Sequence, residues 1–387
     1  MSNLPKGWEE VKLGEILNIQ TGKKNAQDSK ENGEYPFFTR SIDTQKIDTY
    51  SFDTEALFIA GEGNFTVKYY KGKFDLHQRT YMLTALKENT VDLKFLQNNI
   101  QPKVYQLVAT SVGSTVQSLR KPIIEALKIP LPPLEEQKKI ANILSTVDKK
   151  IAFVEENINA TEELKKGLMQ KLLTEGIGHT DFKDSELGKI PESWEVKSIG
   201  SLTSLTAGGT PSTQIKDYWN PKEVPWLSSG EVNKKIINFT DNMISKQGLN
   251  NSAAKFIPKY SVLIALAGQG KTRGTVAISE IELTTNQSVA SILPSEKLDM
   301  YFIYYNLDSR YEEIRSMSTG VGGRGGLNLA ILKSIKIALP PQKEQKQIAE
   351  ILSTVDKKLE NLKEKKQSFE ELKKGLMQKL LTGEVRV

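Results

Sequence analysis

The chain repeats itself, and a repeat of this size fixes the plan of the molecule before any local pattern is read. Leu131-Pro132-Pro133, Glu136-Gln137-Lys138, Ile140-Ala141 and Ile143 through Lys150 return 208 positions later as Leu339-Pro340-Pro341, Glu344-Gln345-Lys346, Ile348-Ala349 and Ile351 through Lys358. Glu162 through Thr174 then returns unbroken as Glu370 through Thr382, so that 30 of the 44 positions in 131–174 are identical to their counterparts. The stretches before these constant blocks correspond more loosely. Pro5-Lys6-Gly7-Trp8-Glu9 matches Pro191-Glu192-Ser193-Trp194-Glu195, Tyr35 to Ser41 matches Val224 to Gly230, Leu57 to Gly63 matches Ile264 to Gly270, and His77-Gln78 matches Asn286-Gln287. The order is variable, constant, variable, constant.

The constant blocks have the spacing of long helices. Ile140, Leu144, Val147, Ile151, Val154 and Ile158, then Leu164, Leu168 and Leu172, follow steps of four and three. So do Ile348, Leu352, Val355, Leu359, Leu362, Lys366, Phe369, Leu376 and Leu380, with Leu372 one place early. That is a coiled-coil seam with one lysine in it, which should snorkel or set register rather than bind anything. Pro133 and Pro341 mark the starts, because proline is tolerated in a first helical turn. A helix of this length is a rod of roughly 60 Å, and its apolar stripe needs a partner. The other copy is the expected one, and connectivity makes the pair antiparallel, with one variable block at each end and the termini close together. Gly167 and Gly375 cost about 1 kcal/mol each in a helix interior; close helix approach or a docked subunit would account for them.

The variable blocks alternate β-branched or apolar runs with glycines. Val262 to Ala267 and Thr275 to Ile278 flank Gly268, Gly270 and Gly274, and Ala56 to Ala60 leads into Gly61 and Gly63, as in strands joined by glycine loops. Helical patterns follow at Leu93 to Val108 and Met300 to Ile314. The expected fold class is α+β: two mixed α/β domains separated by two long antiparallel helices forming a coiled coil, as a pseudo-twofold internal repeat. The expected boundaries are 1–130 for the first domain, 131–176 for the first helical region and 177–190 for a linker. The second domain is 191–338, the second helical region 339–382, and 383–387 is a tail.

Composition narrows the chemistry. There is no cysteine and there are two histidines, His77 and His179, so a thiolate nucleophile, a disulfide framework and a histidine-rich metal centre are excluded. No cofactor or metal is expected. No signal peptide or membrane-spanning run is visible, and a cytoplasmic protein is expected. Leu266 to Thr272 ends in Gly270-Lys271-Thr272, but the phosphate loop needs glycine where Ala265 stands, and the next pattern is a strand. A nucleotide-hydrolysing enzyme built on that motif is one alternative; a coiled-coil scaffold that touches no DNA is another. Gly320 to Gly326 surrounds Arg324 and reads as a flexible loop or as backbone approaching phosphate; Thr110 to Gln117 holds the same place in the first block. The Asn-Pro-Pro-aromatic tetrapeptide of amino-methyltransferases is missing.

The proline-led helix with Glu136-Gln137 or Glu344-Gln345, followed by Ile-Ala-x-Ile-Leu-Ser, resembles the conserved regions of type I restriction-modification specificity subunits. The Pro-x-x-Trp opening, Pro225-Trp226, the Gly-x-Gly loop and Asn286-Gln287 resemble that family's target recognition domains, with His77-Gln78 and Phe37 as departures in the first copy. The resemblance implies a non-catalytic subunit in which each recognition domain reads one half of a split double-stranded DNA target. The helices would set the spacing and dock two adenine-methylating modification subunits, with ATP-dependent translocase and nuclease subunits completing the complex. Candidate DNA contacts are Lys23, Thr39, Arg40, Ser41 and Arg79 in the first domain and Thr210, Ser228, Ser229, Lys271, Arg273 and Arg324 in the second. Candidate spacer and docking residues are Gln137, Ile140, Leu144, Val147, Gln345, Ile348, Leu352 and Val355. A net charge of only +6 predicts weak DNA binding by the chain alone and tight binding in the complex.

Overall fold

A computed structural model describes residues 4–63, 65–110, 118–268, 270–318 and 326–387. The chain divides into two compact units, residues 1–156 with 364–387, and residues 157–363. Each contains one variable block and a length of both constant helices, Leu134–Thr174 and Gln342–Leu380. Among the described residues no helix is long and apolar enough to cross a membrane.

In the first unit six strands form one sheet in the order Leu17–Thr21, Thr80–Ala85, Phe52–Ala60, Lys68–Leu76, Tyr35–Phe38, Gln45–Ile47. Every neighbour is antiparallel except Tyr35–Phe38, which runs parallel to Lys68–Leu76 with Phe37 opposite Asp75. The run Ala56 to Ala60 is apolar without alternation because both faces of the sheet are covered. Leu57 and Ile59 face a core with Phe95, Leu96 and Ile100 of the helix Leu93–Thr110. Ala56 and Phe58 face the other side, against Phe38, Phe74 and Met82, where the Phe38 and Phe58 rings stack at 3.8 Å. Glu9–Lys12 pairs antiparallel with Lys128–Leu131, which tethers the start of the chain to the strand that feeds the long helix.

The second unit repeats this design with two changes. Val262–Ala265 lies between Val289–Ile292 and Val276–Ser279 in a five-stranded sheet, with Val262 and Ile264 on one core and Leu263 and Ala265 on the other. The counterpart of Lys68–Leu76 is broken into Val276–Ser279 and Thr284–Thr285, and the latter pairs parallel with Val224–Leu227, Trp226 opposite Thr284. One sheet thus becomes two, and with Ile236–Ile237 added parallel to Val276–Ser279 they have five and three strands. Glu195–Ser198 with Lys336–Leu339 repeats the tether. The ladders also correct the expected alignment. Ala60 faces Thr80 and Ala265 faces Val289, so Leu57 corresponds to Val262 rather than Ile264, a shift of two that leaves each side chain on the same face.

The two helices run antiparallel within each unit. In the first, Lys373 meets Asp148 at 2.6 Å and Lys366 meets Glu155 at 2.9 Å, so the lysine of the seam makes an ion pair with the facing helix rather than only snorkelling to solvent. In the second, Lys165 and Asp356 are 2.6 Å apart and Lys363 and Glu162 are 3.0 Å apart. The seam departs from the expected spacing in the repeated block. Leu164 and Leu372 are 51% and 49% exposed. There Leu168, Met169, Leu172 and Leu173 pack on the second unit's core, and Leu376, Met377, Leu380 and Leu381 on the first's. The buried stripe turns because the helix end packs on a domain rather than on a helix alone.

Candidate nucleic-acid interface

In the first unit four chain segments converge on His77. Gly22 passes so close to the strand Lys68–Leu76 that a Cβ there would lie 1.8 Å from the Leu76 carbonyl oxygen. That approach delivers Lys23, Lys24 and Asn25 to the edge of the sheet, where Gln78 donates from its backbone to the Lys24 carbonyl and from Nε2 to Asn25 Oδ1 at 2.6 Å. The His77 backbone N–H donates to the Phe38 carbonyl at 3.0 Å, and its Nδ1 accepts the Arg79 backbone N–H at 3.0 Å. Thr39 Oγ1 accepts from the Ser41 backbone, and Lys68 Nζ donates to the Ser41 carbonyl at 2.9 Å. Arg40 and Arg79 both place Nη1 on Glu62 Oε1, the latter at 2.8 Å. Of the expected contacts, Arg40, Ser41 and Arg79 are exposed and gathered here, Lys23 is exposed on the adjoining loop, and Thr39 is buried in the turn.

The charges in this cluster tune one another. Arg79 and then Arg40 hold the Glu62 carboxyl below the usual carboxylate range, against some burial. Burial and then the two guanidinium groups push His77 down from 6.5, so it is the neutral ring that accepts from the backbone.

The second unit builds the same turn with different side chains. The Asn286 backbone donates to the Leu227 carbonyl at 3.0 Å and Oδ1 accepts the Ser288 backbone N–H at 3.0 Å. His77 and Asn286 therefore do one job, with an imidazole nitrogen in one unit where the other has an amide oxygen. Thr210 Oγ1 donates to Gln287 Oε1 at 2.5 Å, the counterpart of the Asn25 and Gln78 contact. Gly208, like Gly22, is pressed on a carbonyl, that of Thr285. Ser228 caps a short 3₁₀ turn, its hydroxyl and backbone N–H both on Glu231, and Ser229 follows it. Thr210, Ser228 and Ser229 thus stand where the first unit has Asn25, Thr39 and Arg40.

Lys271 and Arg273 lie beyond Val262–Ala265, in the connection that returns as the antiparallel strand Val276–Ser279. That return is a strand, as the sequence pattern indicates, and not the helix that the alternative reading of Gly270-Lys271-Thr272 as a phosphate loop requires. Lys271 is exposed, while Arg273 bonds Ser318 at 3.0 Å and is partly buried. Arg324 lies outside the described residues, as do most of the two loops expected around 110–117 and 320–326. The residues that sequence reasoning passed over are Glu62, Asn25 and Glu231. Glu62 had a signal, since it stands between the glycines at 61 and 63 in the expected loop.

The spacer residues are spent inside each unit. Ile140 and Leu144 are fully buried in the first core and Ile348 and Leu352 in the second. Val147 is 7% exposed and Val355 is partly buried. Gln137 donates to the Pro132 carbonyl and accepts the Asp92 backbone N–H at 2.9 Å. Gln345 does the same with Pro340 and Asp299. Most of these residues are engaged in seating a domain on a helix. In the repeated block Glu163, Leu164, Lys166, Gly167 and Gln170, with their copies at 371, 372, 374, 375 and 378, are exposed and identical. A Cβ on Gly167 or Gly375 would meet nothing within 4 Å, so close helix approach does not account for these glycines.

The profile of the type I restriction modification DNA specificity domain matches residues 5–163 and 191–371. The chain is 29% identical to the type I restriction enzyme MjaVIII specificity subunit of Methanocaldococcus jannaschii, over 99% of this chain and 94% of that protein. It is 22% identical to the HindI specificity subunit of Haemophilus influenzae, over 97% and 87%. Its fold matches the crystal structure of the type I restriction-modification S subunit from M. genitalium with a TM-score of 0.70 at 16% identity, over 98% and 97% of the two chains. With two recognition units of one design joined by a duplicated helix, this chain belongs to the type I restriction-modification DNA specificity family.

Proposed function

We propose that the chain is the DNA specificity subunit of a type I restriction-modification complex, with residues 1–130 and 191–338 each reading one half of a bipartite double-stranded target. One observation carries this reading: the two units build the same turn on His77 and Asn286 and surround it with different polar side chains. A shared scaffold with unlike contact residues is what two different half-sites require, because base edges are discriminated by side-chain donors and acceptors. Lys23, Arg40, Ser41 and Arg79 serve the first half-site. Thr210, Ser228, Ser229 and Lys271 serve the second, joined by Arg273 and Arg324 from the neighbouring segments. The helical regions 131–176 and 339–382, followed by the linker 177–190 and the tail 383–387 respectively, set the spacing of the two half-sites.

Methyl transfer and ATP-driven cleavage belong to partner subunits, and the chain works in the cytoplasm without a cofactor of its own. Two adenine-methylating subunits dock on it, one at each copy of the repeated block, and the restriction subunits join that assembly. The exposed identity of Leu164 and Gly167 with Leu372 and Gly375 supports this, because among the described residues nothing lies within 4 Å of a Cβ at either glycine. Co-expression with the cognate modification subunits and mapping of methylated adenines tests the reading. A split motif is expected, and exchange of residues 191–338 for another family member's block should change one half of it. No motif, or a motif untouched by the exchange, rejects it.

A further inference from the structure

The two units differ most in charge at three equivalent places. The parallel ladders align Phe37 with Trp226 and Phe38 with Leu227, so Arg40 corresponds to Ser229. Gly61 donates to the Arg79 carbonyl as Leu266 donates to the Ser288 carbonyl, so Glu62 corresponds to Ala267 and Arg79 to Ser288. Where the first unit has two guanidinium groups on one carboxylate, the second has two hydroxyls and a methyl. The second unit folds without the triad, and exposed ion pairs add little stability, so fold maintenance does not explain it.

The geometry suits recognition. Arg40 and Arg79 have side chains 42% and 61% exposed, whereas Glu62 between them is 19% exposed. Each arginine spends Nη1 on the same oxygen, Glu62 Oε1, which leaves the Nε and Nη2 edge of each fork. That edge matches the paired acceptors O6 and N7 of guanine, and a fork held by a carboxylate loses less freedom on pairing. Gly63 takes φ +83°, and a Cβ there would lie 3.4 Å from the Arg40 carbonyl oxygen, so the loop bearing Glu62 passes close to Arg40.

Building on the specificity-subunit reading, we propose that Arg40 and Arg79, positioned by Glu62, read guanines in the first half-site, and that the second half-site is read without an arginine at these places. The test uses the full chain co-expressed with its modification subunits, with methylated adenines mapped across DNA. The first half of the wild-type motif should contain guanine. Arg40→Ser or Arg79→Ser should each relax one base pair of that half, with discrimination falling roughly 5- to 150-fold, while the second half stays fully specified. Glu62→Gln should relax both positions. Should a serine variant give no methylation, Arg79→Lys decides: the charge is kept and the fork lost, so the motif should relax with methylation retained. An unchanged motif in the Arg40→Ser Arg79→Ser double variant overturns the proposal, as does a uniformly slower reaction on the same motif, which is the behaviour of phosphate contacts. Loss of the split motif in the wild-type chain would instead reject the specificity-subunit reading itself.

Discussion

Arg386 grips Glu136 with both Nε and Nη2, at 2.6 and 2.8 Å, although 250 positions separate them in the sequence. Trp8 donates its indole N–H to the same carboxylate at 3.2 Å, and Arg386 also bonds the Lys6 carbonyl. In the second unit Glu344 takes the same part, accepting from Trp194 at 3.0 Å and contacting His179 at 2.8 Å. Residues that follow each long helix thus return to the carboxylate at the start of the other.

Breaking this grip should weaken the first unit in an acid-sensitive way. Burial raises the Glu136 carboxyl, but Arg386 and Trp8 outweigh it and leave it below 4.5. A carboxylate depressed in the folded state contributes stability above its ordinary range and loses it as pH falls through the folded value. Urea titrations between pH 7 and 3 should show this slope, and Glu136→Gln should flatten it. Arg386→Ala should lower the midpoint at pH 7, and Arg386→Lys should recover part of the loss, because an ammonium cannot span both oxygens.

His77 should give a second slope, from the opposite kind of group. Its ring is held below 6.5 in the folded state, so as pH falls through 6.5 the unfolded chain takes a proton that the folded chain refuses, and stability drops. His77→Asn borrows the acceptor of Asn286 and should keep the turn while removing that drop. A denaturant midpoint for the variant that still falls between pH 7 and 6 as in the wild type would contradict the assignment.

Gly22→Ala should be costly in folding and in target choice. The added methyl would collide with the Leu76 carbonyl and side chain, and overpacking of this kind costs roughly 1–3 kcal/mol. Because the loop with Lys23 to Asn25 would move, methylation mapping should show the first half of the motif degraded before the second.

Gly167 and Gly375 should behave in the reverse manner. Both are open to solvent on a helix, so alanine there should raise stability by about 1 kcal/mol, seen as a higher melting temperature. Arginine at both places should leave the far-ultraviolet circular dichroism intact and weaken co-purification with the modification subunits. Unimpaired co-purification would move the docking surface elsewhere.

What the sequence disclosed follows from where the information is dense. The long helices were legible because the same seam is written twice and proline marks each start. The strand and glycine pattern of Ala56 to Gly63 and Val262 to Gly274 placed the central hairpins. Two things were not legible. The outward turn of Leu164 and Leu372 depends on a domain core packing on the helix end, which no periodicity encodes. The Glu62 triad joins residues from three loops, and only the sheet register sets them side by side. The candidate contacts Arg40 and Arg79 were found by residue type, whereas their common anchor needed the fold.

The seating of each domain on its helix, a tryptophan on one carboxylate and a glutamine on two backbone groups, is the same in both units and involves none of the side chains proposed to contact DNA. A reader can therefore be unplugged and replaced as a cassette, much as a tool bit is changed in a fixed chuck, and new addresses can arise by recombination between shared stems without relearning how to fold.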